Sequence, residues 1–248
     1  MQTETRIVES EDALAEAAAL AIVEAAVDAI AARGRFTLVL SGGDTPRRTY
    51  ARLAQAPFRD RIDWVKTLVF FGDERGVPPD HRDSNYGMAW TTLLSKVPVP
   101  PGSIFRIRGE AEDPETAAID YARTLTEALA LRRGERPRFD LVLLGLGVDG
   151  HTASLFPGSP VLKEVFRTVA AVHATAAAIP QRFTLTLPVL NAAAEVLFLV
   201  AGPEKAKVVK AALGDQATLP AAMVRPGEGR LRWRLDRAAA SLLGPEGR

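Results

Sequence analysis

Three short stretches, far apart in the sequence, carry residues suited to chemistry on an anionic substrate. Asp149-Gly150-His151 sets a carboxylate two residues before an imidazole. Histidine ordinarily titrates close to neutral pH, so a His oriented by a carboxylate suits general-base work. A lone loop histidine is more often structural, and the weight on His151 comes from the neighbours a fold would bring to it. Ser41-Gly42-Gly43-Asp44-Thr45-Pro46 follows an apolar run and leads into a helical pattern. Glycines there let backbone N–H groups approach an anion at the positive end of a helix, and phosphate fits that description. Ser41, Gly42, Gly43 and Thr45 are therefore candidate phosphate ligands, although a plain turn capped by Ser41 or Thr45 has the same local sequence. Asp44 repels an anion, so its side chain should turn away or serve as a cap. The third stretch, Asp73-Glu74-Arg75, follows another apolar run and adds a carboxylate to the same chemistry.

Other readings of these residues meet obstacles. Gly145-Leu146-Gly147-Val148-Asp149-Gly150 matches the dinucleotide fingerprint, but a helix should open at the third glycine. Pro157-Gly158-Ser159-Pro160 soon breaks the chain, and the next strand ends without a ribose-binding acid, so no nicotinamide or other cofactor is expected. A Walker A loop is excluded at Gly43 because no Gly-Lys-Ser/Thr follows. Ser41 lacks the Gly-x-Ser-x-Gly setting of a hydrolase nucleophile, which leaves water as the expected attacking group. Asp73, Glu74, His81, Asp149 and His151 lack the spacing that puts two metal ligands on one helix face, and no metal is expected. Arg182 and Lys205 can reach the site from the later half of the chain, Arg with a bidentate fork for phosphate and Lys with a point charge. His81 reads equally as a substrate contact or an ordinary surface side chain. His173, at the end of an apolar run, reads as a packed or hydrogen-bonded structural residue.

These segments need a scaffold. The chain has 248 residues of which 47% are hydrophobic, enough for a large buried core and too apolar for disorder. Lys and Arg number 31 against 30 Asp and Glu, so no basic field draws nucleic acid, and a small molecule is the expected partner. The absence of cysteine excludes a disulfide framework and suits a reducing cytoplasm. Ala13 to Ala32 is apolar but interrupted by Glu16, Glu24 and Asp28, which argues for a water-soluble helix over a signal peptide or membrane span. Leu14, Ala18, Ala21, Ile22, Ala25, Ala29 and Ile30 share one face, with Ser10 as N-cap and Gly34 as C-cap.

Strands are expected at Phe36 to Leu40, Thr67 to Phe71, Leu141 to Leu144, Thr168 to Val172, Phe183 to Leu187 and Val196 to Ala201. Helices are expected from Pro46 to about Ala54, from about Tyr86 to Ser95 and from Pro114 to Arg132, with a last strand at Trp233 to Asp236 and a helix in the Ala-rich tail. No repeat or low-complexity linker divides the chain, so residues 1–248 read as a single domain. The fold class is α/β, a three-layer α/β/α sandwich around a mostly parallel, Rossmann-like sheet. Ligands of such sheets bind beyond the carboxyl ends of the strands, which should bring Ser41 to Pro46, Asp73 to Arg75 and Gly145 to His151 to one cleft.

Together, Ser41-Gly-Gly-Asp-Thr-Pro46, Gly72-Asp-Glu-Arg-Gly-Val-Pro78 with His81 and Ser84-Asn85-Tyr86, and Gly145-Leu-Gly-Val-Asp-Gly-His-Thr-Ala-Ser-Leu-Phe-Pro-Gly158 resemble the 6-phosphogluconolactonase family. Pro180-Gln-Arg-Phe-Thr-Leu-Thr186, Leu190-Asn191, Gly202-Pro-Glu-Lys205 and Leu219-Pro220-Ala221 extend the likeness over nearly the whole chain. The resemblance implies hydrolysis of 6-phospho-D-glucono-1,5-lactone to 6-phosphogluconate in the oxidative pentose phosphate pathway, without a redox cofactor; the sequence itself gives no sign of a membrane or an obligatory protein partner. It also implies a fold related to glucosamine-6-phosphate deaminase, whose similar loop carries a carboxylate before the proline where this chain has Phe156. A non-catalytic sugar-phosphate sensor on the same fold is the other alternative, and the intact Asp149 and His151 argue against it. On this reading His151, oriented by Asp149, activates water, and Asp73 positions water or sugar hydroxyls. The Ser41 to Thr45 loop, Arg75, Arg182 and Lys205 hold the phosphate.

Overall fold

The computed structural model describes residues 2–175, 177–214 and 218–244. Its strands are β1 (Gln2–Val8), β2 (Phe36–Leu40), β3 (Thr67–Phe71), β4 (Asp73–Arg75), β5 (Ile104–Phe105), β6 (Leu141–Leu144), β7 (Val169–His173), β8 (Gln181–Leu185), β9 (Glu195–Val200) and β10 (Arg230–Asp236). The α-helices are α1 (Glu11–Arg33), α2 (Asp44–Leu53), α3 (Asn85–Thr92), α4 (Pro114–Ala128), α5 (Leu187–Leu190) and α6 (Ala206–Leu213).

Seven strands form a wholly parallel sheet in the order β1-β10-β9-β6-β2-β3-β5. Every residue of β2, β6 and β9 is buried, as expected of strands covered on both faces by helices. From β2 the chain moves outward through β3 to β5, then returns to the other side of β2 for β6 and moves outward again through β9 and β10. The winding reverses between β2 and β6, so their carboxyl ends diverge into a crevice, the general ligand position of this architecture.

Local chemistry sets the ends of the helices. Ser10 accepts a hydrogen bond from Ala13 N–H at 3.2 Å to start α1, and Gly34 at φ 72° returns its N–H to Ile30 to end it. The buried face of α1 centres on Leu14, Ala18, Ala21, Ile22 and Ala29, while Ala25 and Ile30 are half-buried at its margin. Asp113 caps α4 through the N–H groups of Glu115 and Thr116. That helix ends before the expected Arg132 because Ala130 turns left-handed, at φ 53°, and Leu131 N–H bonds back to Thr126.

Three expectations need correction. Runs expected to extend the parallel sheet, β7 and β8, pair antiparallel with each other and with β4 in a separate sheet ordered β4-β8-β7. Only residues 174–180 join β7 to β8, and a parallel crossover needs roughly a dozen residues or more. Asp73 to Arg75, expected only as a segment beyond the carboxyl end of an apolar run, is itself the short strand β4. The Ala-rich tail forms turns over residues 237–242 instead of a helix: Asp236 takes the N–H groups of Ala239 and Ala240, and Gly244-Pro245 follows in the sequence. One contiguous buried cluster runs from α1 through the parallel sheet to Phe183 and Leu185 of the smaller sheet. Trp233 lies within it, stacked on Phe198 with ring centroids 4.0 Å apart.

Candidate active site

A cleft of about 540 Å³ occupies the crevice between β2 and β6. Ser41, Gly42, Gly43 and Thr45 line it from the loop after β2, and Asp73 and Arg75 from β4. Gly147 and His151 contribute from the loop after β6, Arg182 from β8 and Lys205 from the turn after β9. The three sequence-distant segments do meet. Asp149 stands behind His151.

Two buried tyrosines fix where the chain leaves the sheet. Tyr50 Oη accepts from Ser41 N–H and donates to the Ser41 carbonyl, both at 2.9 Å. Tyr121 Oη does the same to Phe71, at 2.9 and 3.1 Å. Burial pushes both phenols well above their ordinary pKa, which keeps each hydroxyl protonated and able to donate.

Gly43, at φ 106°, is the N-cap of α2 and provides no side-chain cap. The caps that Ser41 or Thr45 might have supplied on sequence grounds do not form, because a glycine occupies the capping position. The first-turn N–H groups of α2 are left for a ligand, and Ser41 Oγ is buried without a hydrogen-bond partner. Asp44 turns outward as expected, its side chain 96% exposed.

Arg75 and Arg182 face each other across the β4–β8 pair. Arg75 Nη1 donates to the Asp83 carbonyl and Arg182 Nε to the Ile179 carbonyl, both at 2.7 Å. Neither arginine, nor Lys205, forms an ion pair among the described residues. Burial, reinforced by the Arg75 charge, lowers the Arg182 pKa. Two guanidinium groups held side by side without a carboxylate make this wall of the cleft a receptor for an anion.

Asp73 is nearly sealed from solvent, with Asn85 Nδ2 donating to Oδ1 at 3.0 Å and Ser154 Oγ to Oδ2 at 2.8 Å. The adjacent Glu74 points away from the cleft and accepts from the N–H groups of Arg75, Asn85 and Tyr86, which secures the start of α3. Burial pushes its carboxyl up, against the pull of those bonds.

His151 Nδ1 lies 2.5 Å from Asp149 Oδ1, and the same oxygen accepts from His151 N–H at 3.1 Å. With Nδ1 committed to the carboxylate, Nε2 is the nitrogen left for a substrate or water. Partial burial opposes ionisation of Asp149, but the bond from His151 N–H and the neighbouring imidazole outweigh it and hold the carboxyl below its ordinary range. Gly147 makes the arrangement possible, since a Cβ there would lie 2.1 Å from His151 Nδ1 and 2.6 Å from Asp149 Oδ1. No helix opens at Gly150, so the dinucleotide reading fails in structure as in sequence. Phe156 stacks obliquely on the His151 ring, with centroids 4.6 Å apart.

His81 lies outside the cleft, where its Nδ1 accepts from Asp83 N–H at 3.2 Å. His173, expected to be packed or hydrogen-bonded, is exposed and not packed, because β7 carries it beyond the core. Sequence reasoning missed Asn85 and Ser154 as holders of Asp73; the signal was a pair of short polar residues inside the two motifs. Among the described residues no group of three His, Asp or Glu side chains is arranged to hold a metal ion.

Residues 9–233 match the family described as glucosamine-6-phosphate isomerases/6-phosphogluconolactonase. The chain is 48% identical to a 6-phosphogluconolactonase of Rattus norvegicus over 215 residues, spanning 85% of this chain and 82% of the relative. It is 40% identical to a probable chloroplastic 6-phosphogluconolactonase 4 of Oryza sativa subsp. indica, over 97% of this chain and 76% of that one. The solved 6-phosphogluconolactonase of Trypanosoma brucei superposes with a TM-score of 0.84 at 31% identity, covering 98% of this chain and 99% of its own. By sequence and by fold, the chain belongs to the glucosamine-6-phosphate isomerase/6-phosphogluconolactonase family.

Proposed function

We propose that the protein hydrolyses 6-phospho-D-glucono-1,5-lactone to 6-phospho-D-gluconate, the second step of the oxidative pentose phosphate pathway. The observation that carries the reading is the His151–Asp149 pair opening onto the same cleft as two unpaired arginines. The α2 N-terminus, Ser41, Gly42, Gly43 and Thr45, together with Arg75, Arg182 and Lys205, bind the phosphate. Binding there, remote from the reacting carbon, supplies orientation.

His151 Nε2 removes a proton from water as its oxygen bonds to C1 of the lactone. The carbonyl electrons move onto oxygen, and backbone N–H groups of a glycine-rich loop stabilise the oxyanion. When the oxyanion collapses, the bond from C1 to the ring oxygen breaks and His151 returns the proton to that oxygen. Asp149 holds the ring and stabilises the imidazolium between the two transfers. Asp73 orients the water or the sugar hydroxyls. No cofactor or metal enters these steps. Phe156, packed on the histidine, offers no carboxylate for the proton shuttling of an aminosugar isomerisation, which favours the lactonase over the deaminase reading. No described helix is long and apolar enough to cross a membrane, and the cysteine-free chain suits a reducing compartment such as the cytoplasm.

The substrate hydrolyses on its own, so the test generates the lactone in situ and follows its loss with no protein, with the protein, and with His151→Ala, each with and without a chelator. Loss faster than the blank only with the unaltered protein, and indifferent to chelator, is the expected result. Loss at the blank rate would refute the activity.

A further inference from the structure

The Asp73 carboxylate is clamped from two directions, by the first residue of α3 and by the loop after β6. Asn85 Nδ2 donates to Asp73 Oδ1 and to the Asp73 carbonyl, at 3.0 and 2.9 Å. The Asn85 side-chain oxygen, Oδ1, is buried without a partner against Gly42, where a Cβ would come within 1.9 Å of it. Asn85 thereby registers Asp73 against the phosphate-binding loop. Ser154, fully buried and three residues beyond His151, donates from Oγ to Asp73 Oδ2 at 2.8 Å. It registers the same carboxylate against the histidine loop.

The turn that carries Ser154 holds an unfavourable backbone to make this contact. Thr152 and Leu155 exchange N–H···O bonds of 2.9 and 3.4 Å, and Thr152 Oγ1 ties the turn to the Gly145 carbonyl at 2.8 Å. Between them Ala153 sits at φ 49°, the left-handed region that side chains other than glycine seldom adopt. Such a conformation persists only where its surroundings over-determine it. Here the surroundings include Ser154 itself, whose N–H donates to Thr184 Oγ1 at 3.3 Å, on the residue that faces Asp73 across β4 and β8.

We propose that Ser154 is a positioning residue that acts through Asp73, fixing how that carboxylate faces the cleft and hence how the lactone carbon and the water meet His151. The inference rests on the reading of Asp73 as the group that orients water or sugar hydroxyls. Without the hydroxyl, Asp73 Oδ2 is buried without its donor, and the carboxylate turns to find another.

Initial rates on lactone generated in situ test this for Ser154→Ala, Asp73→Asn and the double variant, with melting temperature and inhibition by inorganic phosphate measured beside them. Ser154→Ala is expected to lower kcat about ten- to a hundred-fold, the scale of an ångström-sized misplacement, with KM and phosphate inhibition within about twofold. The double variant should be no slower than Asp73→Asn alone, because both changes remove the same function. Ser154→Cys, a weaker donor of similar size, should recover part of kcat. Multiplying losses in the double variant, an unchanged kcat in Ser154→Ala, or a loss confined to KM and melting temperature would each overturn the proposal. A normal turnover in Asp73→Asn overturns the reading of Asp73 first and this inference with it. Should Ser154→Ala not fold, Ser154→Cys decides alone: intermediate kcat at unchanged KM supports the role, and unchanged kcat refutes it.

Discussion

The two ends of the cleft handle charge in opposite ways. At the phosphate end, Arg75, Arg182 and Lys205 have no carboxylate paired to them among the described residues, and the first turn of α2 has no side-chain cap. At the reacting end, the charged group is already matched, with Asp149 bound to both the ring and the main chain of His151. A half-buried cation without a counter-ion gains from an arriving anion, so that end is built to bind. A carboxylate fixed to an imidazole stabilises the protonated ring, so that end is built to move a proton.

Substitutions can break this division or sharpen it. His151→Ala should lower kcat by about two to four orders of magnitude, as loss of a general base does, while inhibition by inorganic phosphate stays near its original value. Retained turnover would remove His151 from the reaction. Asp149→Asn leaves the shape but not the charge, and kcat should fall about ten- to a hundred-fold, less than for loss of the ring itself. A KM effect alone there would merge the two ends.

Arg182→Ala should act chiefly on KM, raising it about ten- to a hundred-fold, in keeping with one charge-assisted hydrogen bond worth roughly 1.5–3 kcal/mol. Unchanged KM and kcat would remove Arg182 from the site. Tyr50→Phe leaves the Ser41 N–H and carbonyl buried and unpaired, and should cost about 1–3 kcal/mol of stability by denaturant unfolding, with a smaller rise in KM. The smallest effect concerns pH. The Asp149 carboxyl titrates lower in the folded protein than in the unfolded chain, so its contribution to stability is complete above the ordinary aspartate range, about pH 4, and fades as pH falls through the lower folded value. The stability difference between the wild type and Asp149→Asn should therefore shrink below about pH 4, and a constant difference would dissociate the carboxylate from folding.

Sequence legibility differed between the two ends as well. Continuous apolar runs located β2, β3 and β6 residue for residue, because strands buried on both faces need no partner to be recognised. The loops at their carboxyl ends then followed from the architecture. The smaller sheet was less legible: Asp73-Glu74-Arg75 is polar and short, and only pairing with β8 makes it a strand. The brevity of residues 174–180 was a usable sign of a hairpin. β1 opens with five consecutive polar residues, Gln2 to Arg6, at the edge of the sheet, so its identity comes from pairing with β10. The contacts of Ser154 and Asn85 with Asp73 join residues 81 and 12 positions apart, so the motifs display the polar residues but not their common partner.

Tyr50 and Tyr121 each close a small ring on the main chain at the point where a strand gives way to a site loop. Amide protons beside an open cleft ordinarily exchange with solvent quickly, because little protects them from local opening. Those of Ser41 and Phe71 are bonded to buried phenols, so their exchange should follow the slow opening of the sheet interior. The rigid body of the protein thus extends to the last residue before the substrate, and the loops beyond begin from fixed points.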